Sequence, residues 1–549
     1  MYSKPGFHTL LQLGQVAAAF AAPYTWPSDT DFLESLLYEQ VGHDAFTPAA
    51  VVAPCGNVVL GKGRSVPAEW IRTAYHDMAT ADVAAGTGGM DASIGFELDR
   101  AENPGLASFT ETLGNMKQHL TSRSSMADLI AMGAIVSVGA CSNGSVLIPF
   151  RTGRVDAKEA GPKGVPEPQQ EIDSHVSAFK RQGFNKAEMI GLVACGHTLG
   201  GVHGVDFPTI VPVPVNDPTK DEHTQTFDNT TEKFDNIVAS DYVNNIQQNA
   251  LAFGHNQTTR SDARIFDSDG KVEIKKLAAS NDYFLKTCGS LLERMVNTVP
   301  KKVKLTPPIQ PVPVKPLKLF ATINSNGKMK LSGRIRLFDT FEGKPDRSVE
   351  ITFYPRSGAD CAKTKSCVQA KAIVDPQSWT ATTYAAYPSF PLFKRYDFEV
   401  EVPISVGVSG FTVAVTDKIN GKFQTTKYDN NGKKFPFRDT LLTQHNLSCE
   451  ETTNKGLLNL TIAVRDDAKL DSVSGTVEVP SSLSALVPYV KSVPITFKKM
   501  RAIPKAGYSL YNAQHVYQPG SYRRVYNLVG KSGKTTEQSV FHEAKELPN

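Results

Sequence analysis

Arg72 and His76 stand four residues apart in the stretch Trp70–Ser93, WIRTAYHDMATADVAAGTGGMDAS. Arg72 to Asp77 carries helical periodicity without Gly or Pro, so both side chains project from one face of a helix. An imidazole beside a guanidinium suits a reaction that moves a proton and then steadies a developing negative charge. Taken alone, Arg-x-x-x-His is also the ordinary polar face of an amphipathic helix, and the rest of the chain decides between the two. Asp77 follows His76 at once. Gly89, Asp91 and Ser93 offer oxygen ligands after a Gly-rich turn, a spacing that reads as a calcium loop pinned to the helix end.

A second centre lies at Met189–Gly201, MIGLVACGHTLGG, where His197 closes an apolar helix and Thr198 stands beside it. A lone histidine there is more often packed core than ligand, but its partners change that balance. Asp228, Thr230 and Asp235 in TFDNTTEKFD, with Thr198, can form a second oxygen cage. Asp262, in RSDARIFD, is a carboxylate able to orient an imidazole from behind, as metal-bound histidines require.

The elements that must position these residues follow from periodicity. From about 30 to 298 the pattern is mostly helical, with 3.6-type spacing over Leu33–Tyr38, Met116–Leu120, Ala127–Gly139, Ile172–Phe179, Lys186–Cys195 and Asp282–Val296. Ser125 and Asn185 read as helix starts, the second shaped like a capping box with Glu188. Ile148–Pro168 is rich in Pro, Gly and Arg and reads as extended loop. Lys301–Lys318, with five prolines, reads as a stiff linker. Beyond it the period becomes two, with Asn-Gly turns at Asn326, Asn420 and Asn431. The fold class expected is multidomain, a mostly α unit followed by an all-β, sandwich-like region. The divisions are a signal peptide over 1–22, a helical domain over 23–298, a linker over 299–317 and two β units over 318–435 and 440–545.

The chain has 549 residues, too many for one ordinary domain. Its formal net charge of +4 gives no reason to expect a nucleic-acid partner. Lys4, the apolar run Leu10–Phe20 and the small residues Ala18, Ala19, Ala21 and Ala22 read as a secretory signal. That run is too short to span a bilayer, and no later segment is apolar for about twenty residues, so no membrane span is expected. Sequons at Asn143, Asn229, Asn256, Asn446 and Asn459 fit a secreted glycoprotein. Seven cysteines are too few for a disulfide scaffold, though bridges remain possible.

RTAYHDM, GGMDASI, ENPGL, ADLIAM, IPFRTGR, VPEP, ACGHTLGG, TFDNTTEKFD and RSDARIF occur in this order, and with them residues 50–298 resemble the plant and fungal haem peroxidases, most closely the secreted fungal ones. The resemblance implies haem b with His197 as the proximal iron ligand and Asp262 behind it. It implies His76 as the acid and base for peroxide, Arg72 as the charge stabiliser, and Asn103 with Glu97 as the chain that orients His76. Phe227 falls at the proximal aromatic position. Two calcium ions are implied, one on Asp77, Gly89, Asp91 and Ser93, the other on Thr198, Asp228, Thr230, Lys233 (through its carbonyl) and Asp235. Cys55 and Cys141 match a family disulfide. Cys361 and Cys367 are expected to pair within the first β unit, and the state of Cys195, Cys288 and Cys449 is left open.

The chain departs from the family at Tyr75, where Phe or Trp is usual; this phenol could lie over the haem or point to the core. The positions matching a manganese site hold Ser65, Glu69 and His203, and one carboxylate does not make a hard-cation site. Leu192 stands where relatives that oxidise bulky aromatics carry Trp. The function expected is therefore peroxide reduction with one-electron oxidation of small, phenolic-type reductants at the haem edge. The alternatives are a peroxidase-like domain with little turnover, serving glycan binding or wall structure, and a peroxidase with an atypical two-electron outcome. The β region carries no readable motif, and a wall polysaccharide is its expected partner from context alone.

Overall fold

The computed structural model describes residues 24–39, 41–42, 51–52, 55, 63–214, 223–338, 346–376, 380–381, 393–452, 456–484, 487–503, 506–518, 523–533 and 535–547. The expected signal peptide, 1–22, lies outside the described residues. A helical unit precedes a region of β-sheet, the order expected from the change of period near residue 300.

The helices are α1 (Asp31–Tyr38), α2 (Val66–Met78), α3 (Leu106–Met116), α4 (Met126–Cys141), α5 (Ile172–Arg181), α6 (Lys186–Gly196), α7 (Ile237–Val243), α8 (Ala250–Phe253), α9 (Ser261–Asp267), α10 (Val272–Ala279) and α11 (Asn281–Val296). Helix α4 is apolar on every face and buried along its whole length, so it forms the spine of this unit. Its exposed backbone donors are met locally. Ser125 Oγ accepts from Asp128 N at 3.0 Å, and the Asp156 carboxylate accepts from Met126 N and Ala127 N at 2.9 Å each. Asn185 and Glu188 make the capping box that starts α6. Buried Arg154, from the IPFRTGR stretch, reaches Asp128 at 2.8 Å and Val296 O at 2.7 Å, and so ties α4 to the end of α11.

The Pro-rich stretch does not stand off as a spacer. Lys301 N donates to Gly86 O at 3.0 Å, Thr306 N to Thr152 O at 2.9 Å and Ile309 N to Phe150 O at 2.8 Å, so its free donors pair along the helical unit. Beyond it, Val314–Ile323, Lys328–Phe338 and Phe393–Pro403 pair in one layer, and Ser348–Tyr354, Gly410–Ile419 and Lys422–Tyr428 in a second. Val368–Val374 passes from one layer to the other, pairing with Ser348–Tyr354 through Val368–Ala372 and with Phe393–Pro403 through Ile373 and Val374. Asn420-Gly421 makes a two-residue hairpin turn with φ positive at both positions.

The following unit is two sheets. Gly456–Arg465 and Tyr508–Tyr517 lie at the heart of one, and Ser472–Ser484 and Val525–Ser532 of the other. Leu458, Leu460, Ile462, Val477, Tyr526 and Leu528 fill the space between them.

Helix α1 joins the two halves. Phe32, Leu33, Leu36 and Leu37 enter the helical core. Its acidic residues are buried too, which an isolated charge would not tolerate. Glu34 binds Arg336 at 2.6 Å and Lys315 at 2.7 Å. Glu39, just past the helix, binds Arg336 at 2.6 Å and Arg395 at 2.7 Å. All three cations belong to strands of the first β unit.

Candidate active site

Helix α2 carries the first half of the site. Ser65 stands at the N-cap position without a side-chain cap bond, Pro67 fits the first turn, and Trp70 packs into the core opposite Arg72 and His76. His76 Nδ1 lies 2.7 Å from Asn103 Oδ1. Asn103 Nδ2 donates to the Glu97 carbonyl at 2.9 Å, which fixes the amide so that its oxygen faces His76. His76 therefore carries its proton on Nδ1 and leaves Nε2 as a lone pair for the cavity. The contacts run from His76 through Asn103 to the Glu97 backbone, and the Glu97 side chain accepts from Gly161 N at 2.7 Å. Burial, with Arg72 adding to it, pushes the His76 pKa down to about 3 against a small opposing pull from Asn103. Arg72 Nη2 donates to Pro104 O at 2.6 Å and Nη1 to Ser108 Oγ at 2.5 Å, over the Phe109 ring.

The second half follows α6. His197 Nδ1 donates to Asp262 Oδ2 at 2.9 Å, which leaves Nε2 as the ring nitrogen free to face the cavity. Phe227 stacks on the His197 ring at 4.3 Å, 10° from parallel. The two halves face one cavity of about 580 Å³, which also touches Ser65, Glu69, Leu192, His203 and Asp206. On its wall Ser65 Oγ and Glu69 Oε2, one helical turn apart, are buried without a hydrogen-bond partner. Arg64 holds the other Glu69 oxygen at 2.7 Å, so the one carboxylate at the manganese-like position is already paired. Tyr75 turns toward α5. Its ring stacks on Phe179 at 5.9 Å and its hydroxyl donates to Gln182 Oε1 at 3.4 Å, while the residue also lines the cavity beside His76.

Around the proposed cation loops the geometry differs. Asp77 accepts from the backbone N–H groups of Asp91, Ala92 and Ile94 at 3.1, 2.9 and 3.2 Å, and this closes the Gly-rich loop onto α2. Gly89 has φ +104, and a side chain there would strike Thr298 O. Ser93 N donates to Asp91 Oδ1 at 3.1 Å. In the other loop Thr230 N donates to Asp228 Oδ1 at 2.8 Å and Lys233 N to Thr230 O at 2.8 Å. Thr230 Oγ1 donates to Asp235 Oδ1 at 2.9 Å and Thr198 Oγ1 to Asp235 O at 2.6 Å. Asp228 Oδ2 is buried with no donor. Among the described residues no group of three or more His, Cys, Asp and Glu side chains is placed to hold a metal ion. Each loop brings two carboxylates together with hydroxyl and carbonyl oxygens.

Disulfides join Cys55 to Cys141 and Cys361 to Cys367, and also Cys195 to Cys288. The last ties α6 to α11 two residues before His197. Replacing both Cys195 and Cys288 by alanine is expected to cost about 2–5 kcal/mol of stability, measured by urea unfolding, because it frees a long loop in the unfolded chain. Asn249, whose amide reaches Asp262 at 2.7 Å, was missed in the sequence reading because it lies in no recognisable pattern.

A helical unit that sets two oriented histidines, one beside a guanidinium, on the walls of a single cavity has the construction of a peroxidase. The family model described as Peroxidase matches residues 57–281, and this segment is a domain of the peroxidase family. The chain is 39% identical over 417 residues to a WSC domain-containing protein of Arthroderma benhamiae, covering 74% of this chain and 55% of that protein. It is 32% identical to manganese peroxidase 3 of Phlebia radiata, over 30% of this chain and 45% of that protein. It is 35% identical to the peroxisomal L-ascorbate peroxidase 5 of Arabidopsis thaliana, over 24% and 47%. The chain thus spans about half the length of the curated relatives it matches.

Proposed function

We propose that this chain is a secreted haem peroxidase that reduces hydrogen peroxide and oxidises small phenolic-type molecules by one-electron steps. One observation carries the reading. His76 and His197 each have their Nδ1 proton committed to an oxygen acceptor, so each presents Nε2 to the same cavity.

The residues fit haem b. His197 Nε2 would hold the iron, Asp262 would keep that imidazole electron-rich, and the unpaired Ser65 Oγ and Glu69 Oε2 offer polar contacts at one wall. Bound there, haem supplies the redox chemistry by which the peroxide O–O bond is cleaved. The chain's own residues manage protons and charge. His76 Nε2 takes the proton from one peroxide oxygen and returns it to the other as that oxygen leaves. Its low pKa keeps Nε2 free at neutral pH. Arg72 stabilises the negative charge that grows on the departing oxygen. Two reductant molecules each contribute one electron and one proton, and two waters result. The Arg64–Glu69 pair speaks for organic reductants over a hard cation.

The reading also includes two calcium ions on the loops described, since the unpaired Asp228 Oδ2 suits a cation. Burial, with Asp235 and Asp241 adding to it, raises the Asp228 carboxyl to about 6. Removing calcium with a chelator is expected to lower the midpoint of thermal unfolding and to loosen the segment bearing Thr198 beside His197. Calorimetry before and after readdition checks this, and an unchanged midpoint would remove calcium from the account. Glycosylation on secretion fits Asn143, Asn229 and Asn446, which are exposed. Asn459 fits it poorly, because it sits within a paired strand and accepts from Asn512 and Gln514.

The direct test is the absorption spectrum of the secreted protein before and after one equivalent of hydrogen peroxide. A Soret band that shifts on peroxide is the expected result. Absence of a Soret band after expression with ample haem would overturn the reading. A second reading, in which the β region holds a wall polysaccharide, is favoured by the relative named for a WSC domain. Its test is retention of the full chain on insoluble wall glucans, and passage through every such matrix would sink it.

A further inference from the structure

Asp262 Oδ2 receives two donors. His197 Nδ1 stands 2.9 Å away and Asn249 Nδ2 stands 2.7 Å away. The orientation of Asn249 is settled by its other end, where Oδ1 accepts from Leu251 N at 2.8 Å and caps the start of α8. The amide nitrogen is then the atom left to face Asp262. Asn249 is buried and Asp262 fully so, and water does not compete for this contact. The segment before it is held as well. Gln248 Nε2 donates to Thr226 Oγ1 at 2.7 Å, and Gln225 Nε2 to Gln248 O at 2.7 Å, which fastens the loop to the strand leading into Phe227. Phe227 covers the His197 ring and brings no donor of its own. Ser261 Oγ approaches the other Asp262 oxygen only at 3.4 Å.

We propose that Asn249 is a positioning residue that sets how much negative charge Asp262 lends to His197. This rests on the haem reading above. A hydrogen bond to a carboxylate stabilises its charged form and lowers its basicity. Two donors on one oxygen divide that oxygen's lone-pair density. His197 Nδ1–H is therefore pulled less strongly toward Asp262 than it would be by a carboxylate with one donor. The imidazole is less anionic, and oxidised iron is less favoured, than the His197–Asp262 pair alone would make it.

The test uses the full-length, haem-loaded protein and two readouts that are independent of turnover. These are the ferric/ferrous midpoint potential and the iron–histidine stretching frequency of the ferrous protein. Asn249→Ser keeps an oxygen to cap Leu251 and is too short to reach Asp262. It is expected to move the potential to more negative values and the stretching frequency upward, with the unfolding midpoint little changed. Asn249→Ala should give the same two shifts and also lose stability through the lost cap. In the background of Asp262→Asn, Asn249→Ser should shift neither readout further, because the effect runs through Asp262. If Asn249→Ser leaves both readouts at wild-type values, or shifts them equally in the Asp262→Asn background, the proposal is overturned while the haem reading stands. If Asp262→Asn alone moves neither readout, the proposal is likewise overturned while haem binding stands; if the wild-type protein takes up no haem, both are overturned together.

Discussion

Replacing His76 by leucine is expected to slow the reaction with hydrogen peroxide by about 10²–10⁴-fold, the usual worth of a positioned acid and base. Stopped-flow absorption at the Soret band measures it directly. The substitution removes His76 Nε2 from beside Arg72, and the His197 side of the site is untouched, so haem content should stay at the wild-type level. The pH dependence follows from the same environment. Burial and Arg72 hold the His76 pKa near 3, below its ordinary value of 6.5. The peroxide reaction should therefore be flat from neutrality down to about pH 4 and fall only below that, when Nε2 takes up a proton. Stability moves earlier. The unfolded chain binds a proton at His76 below pH 6.5 where the folded chain does not, so this residue's contribution declines as pH falls from 6.5 toward 3. Undiminished peroxide turnover in the His76→Leu protein would refute the assigned proton transfer.

The second large effect is structural. Replacing Arg336 by leucine is expected to cost about 3–5 kcal/mol, because it leaves Glu34 and Glu39 buried beside too few cations. Glu39→Gln should act in the same direction by taking a carboxylate from both Arg336 and Arg395. Burial alone would raise the Glu39 carboxyl, but Arg336 and Arg395 overcome it and hold the pKa down at about 2. A carboxylate depressed in this way stabilises the fold above pH 4.5, and that stabilisation is lost as pH falls from 4.5 toward 2. Urea unfolding at pH 7 and pH 3 checks both claims: the penalty of Arg336→Leu should shrink in acid. The same contacts predict that residues 316–549 expressed alone do not fold, since Lys315 lies outside that fragment and Arg336 and Arg395 lose both carboxylates. A folded, cooperatively melting fragment would contradict this.

These two effects mark where the sequence was readable and where it was not. Arg72 and His76 could be placed on one helical face because their relation is local, and His197 could be tied to Asp262 because motifs surround both. The apolar run Ala127–Gly139 announced a buried helix, and alternation announced the strands after residue 316. Glu34 and Glu39 gave no such signal. On a short helix they look like ordinary solvated charges, and only partners some 300 positions away make them core residues. The prolines after residue 306 suggested a spacer for the same reason, because the carbonyls that accept from this stretch lie far off in sequence. Cys195 and Cys288 could not be matched without knowing that α6 and α11 are neighbours. Asn249 escaped notice because a single amide in a loop has no period at all.

The place of the first described segment has a consequence for how the molecule is made. Trp26 exchanges two hydrogen bonds of 2.8 Å with Asn430, and Glu34 and Glu39 await Lys315, Arg336 and Arg395. These residues leave the ribosome well before their partners, which are synthesised hundreds of residues later. Throughout that interval the nascent chain carries an unfinished end whose acidic side chains have nowhere dry to go. A product truncated after the helical unit would keep that end exposed, open to proteases and chaperones. The segment around α1 is thus secured only when the β region has been made.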